Sequence, residues 1–138
     1  MKIVIDTNIL FSFFRENPVR DIIINYTLLG MDLFTPSNAI DELYENKEEI
    51  CKYAKLNEND VGNLLNEISN FVNVVPLDFY IESSEYAKKI SPDIKDSPFF
   101  ALALKIGGSI WSNEPRLKKQ SIIRVYSTKD LIKMIKGR

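Results

Sequence analysis

Short runs of apolar, often β-branched residues alternate with longer stretches in which apolar positions recur every three or four residues, the pattern of an α/β chain. Lys2 to Ile5 read as a buried parallel strand, because the run Ile3-Val4-Ile5 leaves no polar face. Asp6 ends it, Thr7 and Asn8 turn the chain, and Ile9 to Phe14 form an apolar helical turn or two. Asn17 as a cap and Pro18 in the first turn start a helix running toward Leu29, where Gly30 stops it. Met31 to Thr35 return as a short strand. From Ser37 onward, Ile40, Leu43, Tyr44, Ile50 and Tyr53 fall at partly helical spacing, with Asp41 and Glu42 near the helix start.

The second half repeats this alternation. Asn57 to Phe71 predict a helix with an apolar stripe of Val61, Leu64, Leu65 and Ile68, its start marked by a reciprocal Asn57–Asp60 cap. Val72 to Val75 predict a strand ended by Pro76, and Asp78 caps a helix reaching Ile90. Asp93 and Asp96 flank the turn before Ser97 and Pro98, and Phe99 to Ile106 form a deeply apolar helix closed by Gly107 and Gly108. Ser109 to Ser112 and Ile122 to Tyr126 are the last strands, and Ser127 with Asp130 caps a terminal helix. The expected architecture is an α/β layer with a mainly parallel sheet, with residues 1–138 as a single domain.

Composition narrows the chemistry. The chain has 138 residues with 45% hydrophobic positions, enough for one ordinary core without a disulfide or structural metal. A solitary Cys51 excludes an internal disulfide and suits a reducing compartment. No His is present, so no Ser-His-Asp triad, Cys-His pair or imidazole zinc site can form. Acid–base work must fall to carboxylates, Lys, Tyr or activated water. No window reaches the ~20 apolar residues of a membrane span, and the apolar run at the N-terminus is too short for a signal peptide. A soluble, cytoplasmic protein with no membrane partner is expected.

The charge is nearly balanced but unevenly spread. Residues 116–138 carry eight basic side chains against Asp130 alone, whereas the acids dominate before them. This separation permits a positive edge beside an acidic site, although a Lys-rich terminal helix is equally a solvated face.

The acids at strand ends are the chemically distinctive feature. Ligands of open parallel sheets bind beyond the C-terminal ends of strands. Asp6 follows the first strand, Glu42 the second, and Glu114 the strand Ser109 to Ser112, while Asp96 opens the buried helix. Taken singly each has a structural explanation, as a turn residue or an early-helix acid, with Asp41 and Asp93 as neighbouring alternatives. Two such carboxylates ~4 Å apart would repel by about 4 kcal/mol at an effective dielectric constant near 20, so convergence demands a cation or a shared proton. Hard oxygen donors favour Mg²⁺ or Mn²⁺ over zinc, and such a cation would reverse the local sign toward a phosphodiester.

In these motifs the sequence resembles the PIN-domain nuclease family. Ile3-Val4-Ile5-Asp6-Thr7-Asn8 matches its opening strand and turn, and Glu42-Leu43 its second acidic motif. Asp96 with Phe99, Ala101, Leu102 and Ala103 matches the third, and Ile110-Trp111-Ser112-Asn113-Glu114 the last, where the family more often has Asp than Glu. The resemblance implies a three-layer α/β/α fold and a divalent-metal-dependent ribonuclease that hydrolyses phosphodiester bonds of RNA with Mg²⁺ or Mn²⁺. It implies Asp6, Glu42, Asp96 and Glu114 as catalytic and metal-binding residues and Asp93 as an auxiliary ligand. Thr7, Asn8 and Ser112 support them, and Lys118 and Lys119 hold the RNA backbone. Its family context includes toxin–antitoxin pairs, in which an antitoxin protein is the partner.

Two other readings compete. A non-catalytic PIN-like module binding RNA or protein is compatible with Glu114 and the modest charge. Aspartyl phosphotransfer is disfavoured because Asn8 stands where a second Asp would be needed. Phe11, Phe13, Phe14, Tyr26, Leu28 and Leu29 are assigned to core packing first, with a homodimer surface as the alternative.

Overall fold

The computed structural model describes residues 1–137; Arg138, counted above in the basic run, lies outside them. In chain order the elements are β1 (Lys2–Ile5), α1 (Thr7–Ser12), α2 (Pro18–Ile24), β2 (Asp32–Pro36), α3 (Ser37–Glu45), α4 (Lys47–Ala54) and α5 (Glu58–Glu67). They continue with β3 (Asn73–Val75), α6 (Leu77–Tyr80), α7 (Ser84–Ile90), α8 (Ser97–Ile106), β4 (Ser109–Trp111), β5 (Val125–Tyr126) and α9 (Thr128–Lys136). Short 3₁₀ turns at Ile68–Asn70, Ile81–Ser83, Ile94–Asp96 and Pro115–Lys119 link them.

The strands form one sheet in the order β3-β2-β1-β4-β5, and every pairing is parallel. Successive residues of a strand point to opposite faces, yet Ile3, Val4 and Ile5 are all fully buried, so both faces of β1 are covered. The architecture is the expected three-layer α/β/α sandwich. Against β1, β2 and β4 lies α8, whose Phe99 to Ala103 are buried without interruption, with α6 and α7 packed behind it. The all-apolar character of α8 is explained by this sandwiched position. Among the described residues no helix is long and apolar enough to cross a membrane.

The order of strands matters for function. The chain lays β2 and β3 on one side of β1, then returns to place β4 and β5 on the other. The sequence therefore reverses direction between β1 and β4, and the crevice beyond their C-terminal ends is where such sheets bind ligands.

Several boundaries differ from those read in the sequence. The helix expected to reach Leu29 ends at Ile24, where the Asn25 side chain donates to the Asp21 carbonyl at 2.8 Å. The chain turns from there to Gly30, and Leu28, assigned to the core, is 85% exposed. The helical stretch after Ser37 breaks at Asn46, whose side chain donates to the Glu42 carbonyl at 2.9 Å. Glu42 is consequently well inside α3 rather than near its start. The α5 stripe is helical only to Glu67, and Asn57 caps it by accepting from the Asp60 N–H. Both bonds of a reciprocal cap form at Ser127 and Asp130. Asp78 sits in the first turn of α6, behind Pro76 at the cap position, and the 3₁₀ turn Ile81–Ser83 splits the helix expected to reach Ile90.

The last strand shortens for a specific reason. Gln120 accepts from the N–H groups of Ile122 and Ile123 at 2.9 and 2.8 Å and donates to the Ile123 carbonyl at 2.7 Å, so these residues spend their backbone groups on a side chain. The strand is confined to Val125 and Tyr126, with the Arg124 carbonyl accepting from the Ile110 N–H of β4 at 2.9 Å.

Entry into β4 depends on two glycines. Gly107 takes φ +68 at the end of α8, and Gly108 lies so close to β1 that a Cβ there would stand 2.8 Å from the Lys2 carbonyl oxygen. Gly108→Ala is expected to destabilise the fold by about 1–3 kcal/mol, the usual range for overpacking, as measured by denaturant unfolding. An unchanged midpoint would contradict the tight β1–β4 approach.

Candidate functional site

Asp6 leaves β1 at the switch point. Its N–H donates to the Trp111 carbonyl of β4 at 3.2 Å, which ties the end of one strand to the other. Its Oδ1 accepts from the Ile9 N–H at 2.9 Å, capping α1 and fixing the carboxylate. Beneath it, the Thr35 hydroxyl of β2 donates to the Ile5 carbonyl at 2.9 Å. Asp6 is only 6% exposed, an unusual condition for a carboxylate.

Beyond these strand ends opens a cleft of about 350 Å³ lined by Asp6, Thr7, Asn8, Glu42, Lys95, Asp96, Phe99, Glu114 and Arg116. Asp6, Glu42, Asp96 and Glu114, singled out from the sequence, thus face one space although they lie on different elements. Glu42 projects from the exposed side of α3, whose Ala39 and Leu43 are buried. Asp96 stands at the N-cap position of α8 but makes no capping bond there. Its Oδ2 instead accepts from Arg116 Nη2 at 3.1 Å. Glu114 follows β4, and its N–H donates to the buried Ser112 hydroxyl at 3.1 Å.

The remaining predicted residues divide. Thr7 and Asn8 line the cleft, and the Thr7 Oγ1 is buried without a hydrogen-bond partner. Ser112 sits beside Asp6. Asp93 is not in the cleft wall; it caps the 3₁₀ turn Ile94–Asp96 by accepting from the Lys95 N–H at 3.1 Å. Lys118 donates to Asp130 at 2.6 Å and lines a smaller neighbouring hollow with Ser112 and Glu114, while Lys119 is exposed. Lys95 and Arg116 are cleft residues that the motifs did not single out. Their only sequence signal is a basic residue placed within two positions of an acidic motif.

Electrostatically the cleft is crowded with negative charge. Burial pushes the Asp6 carboxyl from 3.8 up to about 6, and the Asp96 and Glu114 charges add to the rise, against lowering by the Ser112 hydroxyl and the Ile9 N–H. The hydrogen bond and charge of Asp96 hold the Arg116 guanidinium still further above its ordinary value, with smaller help from Glu114 and Asp93. Among the described residues no three acidic side chains stand close enough to form a complete metal cage. The donor set nevertheless fits a hard divalent cation of the Mg²⁺ kind, which takes one or two carboxylates and keeps several waters. Oxygen donors dominate the cleft, and the unpaired Thr7 Oγ1 adds a neutral one.

A raised folded-state pKa means that Asp6 binds its proton more tightly in the native state than in the unfolded chain. Above pH 6 its ionised form therefore opposes folding, by about 3 kcal/mol for a shift of about two pH units, and the penalty fades as pH falls from 6 toward 3.8. Asp6→Asn keeps an acceptor for the Ile9 N–H and removes the charge. In metal-free buffer the variant should be more stable than the parent by about 1–3 kcal/mol at pH 8, with the gap closing toward pH 4 in thermal unfolding. A gap that does not vary with pH would contradict the origin assigned to it.

Comparison with known proteins identifies the family and the fold. Residues 4–127 match the family model described as PIN domain. The crystal structure of PAE2754 from Pyrobaculum aerophilum superposes with a TM-score of 0.64 at 9% sequence identity, covering 100% of this chain and 91% of that one. A likeness at that identity speaks for the fold alone. A comparison with curated proteins gives no significant match. With nearly the whole chain matched, and the acids of its motifs gathered at the strand ends, the protein belongs to the PIN-domain family.

Proposed function

We propose that this chain is a divalent-metal-dependent endoribonuclease, acting as a single domain over residues 1–138, that hydrolyses phosphodiester bonds of RNA. The observation that supports this reading most is the gathering of Asp6, Glu42, Asp96 and Glu114 around one cleft at the switch point of the sheet. Four acids in one cleft would by themselves repel an RNA backbone, so they are chemically intelligible only with a cation between them and the phosphate.

Asp6 and Asp96 are the proposed primary ligands of Mg²⁺ or Mn²⁺, with Glu114 as a longer-armed third. Once bound, the cation would make an attacking water easier to deprotonate and stabilise negative charge gathering on phosphorus. Glu42, exposed on α3 at the cleft, would add a further carboxylate oxygen for the cation or a water on it. The Ser112 hydroxyl and the Ile9 N–H hold the Asp6 carboxylate in one orientation, and Thr7 and Asn8 shape the wall beside it. Asp93 supports the turn that presents Asp96. Lys119, exposed after Glu114, would contact the RNA backbone without reading sequence, and Lys118 would join it only by leaving Asp130. The family setting supports a toxin–antitoxin role with an antitoxin protein as partner, and an RNA-processing role without one is the alternative setting.

A second reading, a PIN-like module that binds RNA or protein without cleaving, is favoured by Glu114 standing where Asp is usual and by the lack of a closed acidic cage among the described residues. A metal-screened RNA cleavage assay separates the two. The nuclease reading expects cleavage with Mg²⁺ or Mn²⁺ that chelator abolishes. Asp6→Asn and Asp96→Asn should lower turnover by about a hundredfold or more, at or beyond the loss for groups that merely support a ligand, while retaining a cooperative unfolding transition. RNA binding with no cleavage across substrates and metals would favour the module. Glu114→Asp should tighten Mn²⁺ binding by shortening the arm to the usual length; unaltered Mn²⁺ affinity and rate would assign Glu114 a peripheral place.

A further inference from the structure

We propose that Arg116 is a two-position residue of the cleft: the counter-charge of Asp96 while no divalent cation is bound, and a holder of the RNA phosphate once a cation takes Asp96. This rests on the metal-dependent nuclease reading above.

In the structure Arg116 Nη2 donates to Asp96 Oδ2 at 3.1 Å, with side-chain exposures of 39% and 16%, so the pair is partly sheltered from water. A guanidinium carries five N–H donors, and Asp96 is the only side chain given a hydrogen bond from Arg116 among the described residues. Its Nε is buried and has no partner. The planar fork is therefore only part-used, inside the cleft that also holds Asp6, Glu42 and Glu114.

A divalent cation and the guanidinium compete for Asp96. Both need its carboxylate oxygens, they repel each other at close range, and the cation has twice the charge and coordinates directly. A displaced Arg116 stays tethered by the 3₁₀ turn Pro115–Lys119, next to Glu114, and so remains at the cleft. There its fork matches two oxygens of a phosphate, a geometry that Arg provides and Lys does not. Lys95, the other basic side chain in the wall, is a poorer candidate: it is 71% exposed and leans on Asp93 at 3.8 Å.

The test compares the full-length protein with Arg116→Gln and Arg116→Lys. Each is titrated with Mn²⁺ alone by calorimetry and then assayed for RNA cleavage at saturating Mn²⁺. Arg116→Gln should bind Mn²⁺ about two- to fivefold more tightly, the equivalent of a partly exposed ion pair removed. Its KM for RNA should rise about tenfold, the loss of a charge-assisted hydrogen bond, while kcat changes much less. Arg116→Lys keeps the charge but not the fork, so it should retain the parent's Mn²⁺ affinity and show an intermediate KM. Should the Gln variant lose its unfolding transition, the Lys variant carries the test through its KM.

Unaltered Mn²⁺ affinity and KM in Arg116→Gln would overturn the proposal. Weaker Mn²⁺ binding would overturn it too, by making Arg116 a support for the Asp96 geometry. Tighter Mn²⁺ binding with unchanged KM would overturn the phosphate-holding half. A parent protein that binds no Mn²⁺ would overturn this proposal, and one that also cleaves no RNA with Mg²⁺ would overturn the nuclease reading itself.

Discussion

A carboxylate held out of water, next to other carboxylates, is the constraint around which this molecule is organised. Asp6 cannot withdraw from that position. Its N–H is tied to Trp111, its Oδ1 caps α1, and the residues before it form the most deeply buried strand of the sheet. The strand order then brings the end of β4, and with it Ser112 and Glu114, to the same edge. The stability of the buried β1, β4 and α8 thus maintains a local charge arrangement that is itself unfavourable. Such stored unfavourable charge is a recurrent feature of sites that act on ligands, and a cation is the simplest species to relieve it.

Arg116 shows how the chain manages this charge by itself. One basic side chain reaches back from the turn after β4 and neutralises one end of the acidic arc, at Asp96. Lys118 is drawn instead to Asp130, whose carboxyl that hydrogen bond and the Ser127 N–H hold down at about 2. The two contacts start two positions apart on one 3₁₀ turn but serve different ends, one facing the cleft and the other pinning the turn to α9. The basic C-terminal run is therefore partly structural, rather than one continuous positive surface.

What the sequence made legible was whatever is encoded locally. The β1 run, the Ser127–Asp130 cap and the Gly107 stop each depend on residues a few positions apart, and each is present in the fold. The order of the acidic motifs was legible because strand ends and helix starts place them predictably relative to a parallel sheet. Other features depend on partners distant in sequence or on side chains competing for backbone groups. Gln120 captures the amides expected in the last strand, Asn25 and Asn46 end helices whose apolar spacing continues past them, and Leu28 is left in solvent as a result. Arg116 was hard to read as a cleft residue because its one local signal, a place two positions after Glu114, is weak among the other basic residues of that region. Only the fold brings it to Asp96, twenty positions away.

Everything proposed for this cleft requires its acids to act together on one hard cation. A crystal of the protein soaked in Mn²⁺, with anomalous scattering recorded at the manganese edge, tests it most directly. The expected result is an anomalous peak within direct ligand distance of carboxylate oxygens of both Asp6 and Asp96, with Arg116 moved off Asp96. A fully occupied peak elsewhere on the surface, or none in the cleft at saturating Mn²⁺, would contradict it.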